Sequence, residues 1–254
     1  MTPNFSLETL QTLLADPPKF HEAHGRPTSA LRIDDETCLE LKARLKPGMK
    51  TLETGAGLST IVFAGSGCQH TCIMPDEKLA YRIQDYCRSL SVDTSNVRFI
   101  ISGSSDVIHQ IGRSAYDLIL IDGCHGFPTV FVDFYYAAKA LKTGGALIID
   151  DLRIYTCDLI ASFMQSDPGW NVELMTIRFA IGVKIAETVD REWTDQPFVM
   201  LRSKGTSPIK HPLYFAKITA RTLQKEGAHE TARRISGWLK STARALLKGR
   251  LQEG

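Results

Sequence analysis

The feature that most constrains this chain is the stretch from Tyr116 to Leu152, YDLILIDGCHGFPTVFVDFYYAAKALKTGGALIIDDL. Two apolar, β-branched runs, Leu118 to Ile121 and Ala146 to Ile149, each end in acid, at Asp122 and at the pair Asp150 and Asp151. A helical span separates them. Strand, helix and strand in this order make a parallel unit, and open parallel sheets bind ligands outside the carboxyl ends of their strands. The acids therefore stand where chemistry is usually done.

The flanking sequence extends the alternation. Upstream, KTLETGAGLSTIVFAGSG predicts a short strand ending at Glu53, a Gly-x-Gly turn at Gly55 and Gly57, and a helix that Ser59 could cap, running to about Ala64. Glycine lets the backbone turn sharply and approach a ligand, and a helix start offers free N–H groups. A strand over His70 to Met74, a helix over Asp76 to Leu90, a strand over Val97 to Ser102 and a helical turn over Asp106 to Ile111 follow. The expected fold is α/β: a doubly wound, mostly parallel, seven-stranded sheet of Rossmann-like type, with helices on both faces and an antiparallel last strand. After the centre come a helix over Ile154 to Gln165, one or two strands between Trp170 and Lys184, and a last strand at QPFVMLR, Gln196 to Arg202.

Composition enters as a set of exclusions. At 254 residues and 43% hydrophobic content the chain can bury a full core. No apolar run reaches membrane-spanning length and the opening lacks a secretory pattern, so a soluble, cytoplasmic protein is expected. Six cysteines show no CxxC pair, which points to buried reduced thiols and not to a zinc site or a disulfide scaffold. Three regions are expected: helices flanking the core over 1–49, the ligand-binding domain over 50–204, and a basic helical extension over 205–254, where ten Lys and Arg face three acids.

The runs ETGAGLST, SGSSD at Ser102 to Asp106, YDLILIDG and GGALIIDD together resemble the class I S-adenosylmethionine-dependent methyltransferases over about Lys50 to Lys184. Within that superfamily, Asp122-Gly-Cys-His125, Val130, Asp133, Gly144-Gly145 and Asp150-Asp151 look like the metal-dependent O-methyltransferases of the macrocin type, with a more distant likeness to the catechol type. The resemblance implies that Glu53, Gly55 and Gly57 hold the amino acid end of the cofactor and that Ser105 with Asp106 contacts the adenine. It implies that Asp122, Asp150 and Asp151 hold a divalent metal such as Mg²⁺, and that His125 is the general base. Met74 stands where the ribose-binding acid is usual, which leaves either Asp76 or Glu77 to reach back or water and backbone to hold the ribose.

Residue chemistry agrees with this. Hard carboxylates suit Mg²⁺, a bound cation would lower the pKa of an acceptor hydroxyl, and a histidine titrating near neutrality could take its proton. Each acid also has a bland use, Asp122 in a turn and Asp150 or Asp151 as a helix cap. Asp133 is expected as an exposed or capping acid, and Cys124 as filler. Arg153, Tyr155, Arg178 and Phe179 are candidates for an acceptor pocket.

The expected partner is a hydroxylated small molecule or sugar. The basic end, with Ile235, Trp238, Leu239, Ala243, Leu246 and Leu247 at helical spacing, suggests a contact with a membrane surface, a partner or a second copy in a homo-oligomer. Nucleic acid is disfavoured because no recognised module accompanies the basic residues. Two alternatives remain at this point, a non-catalytic cofactor-binding scaffold and a nicotinamide-dependent dehydrogenase, the latter opposed by Met74 and by the doubled acid.

Overall fold

The computed structural model describes residues 5–23, 26–29 and 32–203, and separate positions between 216 and 240. The chain divides into two compact units, Met1–Val189 and Asp190–Gly254. The first begins with helix α1 (Leu7–Ala15), a small hairpin of β1 (His21–Ala23) and β2 (Arg26–Thr28), and helix α2 (Asp35–Arg44). Then come β3 (Lys50–Thr54), α3 (Leu58–Gly65), β4 (Gln69–Met74), α4 (Glu77–Ser89), β5 (Val97–Ile101) and the short α5 (Ser104–Val107). The unit closes with β6 (Tyr116–Ile121), α6 (Thr129–Ala140), β7 (Leu141–Ile149), α7 (Tyr155–Ser166), β8 (Trp170–Met175) and β9 (Ala180–Lys184).

Strands β3 to β9 form one seven-stranded sheet in the order β5-β4-β3-β6-β7-β9-β8. The first five are parallel, β9 runs against β7, and β8 runs against β9. The expected fold class is therefore the observed one. Side-chain alternation explains how both faces are covered. Leu118 and Leu120 of β6 pack with Leu10, Leu41, Ile61 and Ile83 from α1 to α4, while Ile119 and Ile121 pack with Val130, Ala137, Ile160 and Met164 from α6 and α7.

Strand order reverses between β3 and β6, the topological switch point at which open α/β sheets bind their ligands. Past the strand ends the ladder continues: Gly55 N–H donates to Ile73 O, Asp122 N–H to Thr54 O, Asp150 N–H to Ile121 O and Ser102 N–H to Met74 O. Four loops are thus fixed side by side along one sheet edge.

One expected strand is a helix. Gln196 caps α8 (Pro197–Arg202), in the second unit. Proline at the first helical position has the right φ and no N–H to leave unpaired, and a short apolar run does not itself decide between strand and helix. The antiparallel end of the sheet comes instead from β8 and β9. Most of the expected basic helix, including Trp238, Ala243, Leu246 and Leu247, lies outside the described residues. Among the described residues no helix is long and apolar enough to cross a membrane.

Candidate functional site

A cleft of about 800 Å³ opens over the switch point. Its floor is Gly55 to Ser59, Asp122 to His125 and the pair Asp150 and Asp151. Met74 to Asp76 and Gly103 to Ser105 form one wall, and His21, Arg32, Ile33 and Arg178 stand on other sides.

The glycine loop is dictated by contact as well as by conformation. Gly55 has φ +91°, and a Cβ there would lie 2.1 Å from the Asp122 carbonyl oxygen. Only glycine satisfies both conditions. The loops after β3 and β6 therefore sit back to back, and Gly123 returns the contact, with Thr54 and Gly55 N at 3.2 Å from its would-be Cβ.

Glu53 takes a different place from the one implied. Its carboxylate is fully buried and does not line the cleft; it accepts hydrogen bonds from Ser59 Oγ at 2.6 Å and Thr60 Oγ1 at 2.5 Å. His70 Nε2 approaches the same carboxylate at 3.1 Å without hydrogen-bond alignment, its other nitrogen lies 2.9 Å from Thr51 Oγ1, and its ring stacks on Phe63. Glu53 thus ties the end of β3 to the start of α3 from beneath. Ser59 is not the cap, because Gly57 is the N-cap and Thr60 Oγ1 accepts its N–H.

Met74 is buried at the end of β4. Asp76 lines the cleft and caps α4, accepting from Leu79 N–H, while its second oxygen meets Arg82 at 3.2 Å. Ser105 lines the same wall; Asp106, one residue on, is exposed and does not line the cleft.

At the other end the structure brings together Asp122, His125 and Asp151, whose donor atoms all lie within 4.8 Å of one another. His125 Nε2 is 3.3 Å from Asp151 Oδ2 and 3.7 Å from Asp122 Oδ1. The ring is held from behind, with Cys157 Sγ 3.3 Å from Nδ1 and Thr156 Oγ1 donating to the His125 carbonyl. Asp151 has φ +58°, an uncommon conformation that aspartate tolerates better than most residues. Asp150 is not part of that donor cluster: it is buried, and Thr37 Oγ1 of α2 donates to its Oδ1 at 3.2 Å.

Electrostatics follow from packing three acids at two strand ends. Burial raises Asp122 above the usual carboxylate range, Asp151 and Glu53 add to this, and His125 opposes it. Burial, then Asp122 and Asp151, push Asp150 up to about 7. For His125, burial acts against the charged ring, but Asp122 and Cys157 outweigh it and push the imidazole up to about 10.

Sequence reasoning missed several contributors. His21, Arg32, Ile33 and Thr37 come from the N-terminal segment, whose pattern carried no ligand signal. Asp133 is not an exposed or capping acid: it is fully buried in α6, and Ser104 Oγ donates to it at 2.9 Å. Of the acceptor candidates, Arg178 lines the cleft, Tyr155 and Arg153 are exposed, and Phe179 is fully buried in the core. Five cysteines are buried as expected, but Cys124 is exposed and lines the cleft.

Residues 52–152 match the family model described as a methyltransferase domain. The matched segment spans β3 to the acid pair, so it contains the glycine loop and the acid cluster. It covers 101 of the 254 residues, and over that segment the chain is similar to a methyltransferase domain.

Solved structures agree at the level of fold. A putative O-methyltransferase from Klebsiella pneumoniae is similar at 20% identity and TM-score 0.55, covering 70% of this chain and 90% of that one. The O-methyltransferase TomG from Streptomyces achromogenes, involved in tomaymycin synthesis and solved with S-adenosylmethionine, is 14% identical with TM-score 0.53, covering 62% and 83%. A putative caffeoyl-CoA O-methyltransferase from Staphylococcus aureus is 18% identical with TM-score 0.50, covering 60% and 85%. No curated protein sequence matches the chain.

Proposed function

We propose that the enzyme transfers a methyl group from S-adenosylmethionine to an oxygen of a hydroxylated small molecule or sugar, with a divalent cation, Mg²⁺ or a similar ion, at the acid cluster. The observation that carries this reading is the convergence of Asp122, His125 and Asp151 at the edge of the cofactor cleft. The donor set fits such an ion. Two carboxylates supply hard oxygen ligands, and Asp150 beside them, held by Thr37, supplies further negative charge. When bound, the ion would orient the acceptor oxygen and favour its deprotonated form.

His125 takes the role of base. With the acids uncompensated it is held protonated well above neutrality, as their counter-ion, and a protonated imidazole accepts nothing. Charge compensation at Asp122 and Asp151 removes that hold and lowers His125 toward the range where it can accept a proton. Cys157 and Thr156 keep the ring in place meanwhile. Base function and cation binding are on this reading a single property. The chain's remaining task is positioning, in which the glycine loop and the acid loop, in direct contact, hold donor and acceptor in line.

The test is transfer from labelled S-adenosylmethionine to a panel of catechols, phenols and sugars, with Mg²⁺ or with EDTA. The reading expects Mg²⁺-dependent label on oxygen, lost in Asp122→Ala with Asp151→Ala although S-adenosylhomocysteine still binds. Equal turnover in EDTA would remove the cation from the account. Label on nitrogen would remove the oxygen acceptor.

A further inference from the structure

We propose that Asp133 is a positioning residue for the cofactor, holding the Gly103–Ser105 wall of the cleft through the hydroxyl of Ser104. Asp133 faces the sheet from α6, fully buried among Val130, Phe134 and Ala137. A carboxylate in such surroundings is costly to keep unless its oxygens are bonded. Only half of this one is. Ser104 Oγ donates to Oδ2 at 2.9 Å, while Oδ1 is buried with no hydrogen-bond partner.

A second orphan lies in the same place. Thr54, the last residue of β3, is fully buried and its hydroxyl has no hydrogen-bond partner either. That hydroxyl is near enough to draw the Asp133 pKa down against the upward push of burial, and Thr54 Oγ1 also abuts Gly123 at 3.2 Å from its would-be Cβ. Asp133 therefore reaches the turn after β5 at Ser104 and the end of β3 at Thr54, whose hydroxyl in turn abuts Gly123 after β6. All three feed the cleft: Gly55, Ser104 and Gly123 line it.

Buried unsatisfied polar atoms are rare enough in folded proteins that each calls for an explanation. A core built for stability alone would place an apolar residue at this point of α6. An acid under the floor has a use if the floor must hold Ser104 at one fixed height against the cofactor. Ser104 has no other polar role here, since its hydroxyl bonds to the acid and does not cap α5. This inference rests on the cofactor lying in this cleft; wild-type protein that failed to bind S-adenosylhomocysteine would break that reading first.

The experiment is calorimetry with S-adenosylhomocysteine on the full chain, comparing wild type, Ser104→Ala, Asp133→Ala, Asp133→Asn and the double alanine variant, with thermal melts alongside. Ser104→Ala and Asp133→Ala should each weaken Kd by about tenfold, as for loss of one hydrogen bond to a charged group. The double variant should be no weaker than the worse single, since both break one link. Asp133→Asn, whose amide oxygen can still accept from Ser104, should restore Kd to within about threefold of wild type, whatever its melting temperature. Kd within twofold of wild type in Asp133→Ala, or losses that multiply to about a hundredfold in the double variant, would overturn the proposal. If Asp133→Ala does not fold, Ser104→Ala and Asp133→Asn decide alone: an unchanged Kd for the first, or a tenfold loss for the second, is the contrary result.

Discussion

The two ends of the cleft are built by opposite means. At the glycine loop the buried carboxylate is matched: Glu53 accepts from Ser59 and Thr60, and Gly55 is pressed against the Asp122 carbonyl. At the acid cluster like charges are gathered half-exposed, with a histidine among them and one aspartate at positive φ. The first arrangement is what folding stability favours. The second is locally unfavourable and makes sense when something positive is to be held there. The comparison separates residues that shape the cleft from those to which the proposed mechanism assigns the chemistry.

The largest expected effect lies at the first end. Gly55→Ala forces a methyl group into the Asp122 backbone and strains φ, so it should cost about 3 kcal/mol or more in denaturant unfolding and abolish cofactor binding. A mild effect would mean that the two loops are not locked. Next, Glu53→Ala leaves the Ser59 and Thr60 hydroxyls facing a buried gap, and should destabilise by about 1–3 kcal/mol, as for buried donors left unsatisfied.

At the second end the signs reverse. Asp150 is raised to about 7 when folded, against an ordinary 3.8, so its contribution to stability is full below about pH 4 and is lost as pH rises through 7. Asp150→Asn should therefore flatten the decline in melting temperature between about pH 4 and 7, measured without divalent cation. His125 is also raised, from 6.5 to about 10, so its contribution persists below 6.5 and disappears only as pH passes 10. Smallest of all, Asp151→Gly relieves a left-handed backbone and should raise stability by up to about 1 kcal/mol while removing transfer. Loss of stability there would show Asp151 to be a structural residue.

Much of this was legible in the sequence because it rests on local pattern. Alternating strands and helices fixed the sheet, and acids after apolar runs marked the exits of β6 and β7. What escaped depends on tertiary contact. Ser59 looked like a cap because serine often is one, yet its hydroxyl is claimed by Glu53, six residues back on β3. Asp133 looked exposed because acids on helices usually are. Its partner, Ser104, is 29 residues away, and no periodicity announces such a pair. QPFVMLR was misread since proline excludes a central strand only when the sheet is known to continue. Thr37 reaches Asp150 across 113 residues of sequence. The N-terminal contribution to the cleft was invisible for the same reason.

The central claim is that the acid cluster exists to hold a cation beside the methyl donor and that His125 becomes a base only then. The most direct measurement is the pH titration of the His125 imidazole by NMR on protein loaded with S-adenosylhomocysteine, first in EDTA and then in saturating Mg²⁺. The account predicts an imidazole that stays protonated to near pH 10 in EDTA and that titrates well below this once Mg²⁺ is present. A His125 titration that Mg²⁺ does not move would contradict it.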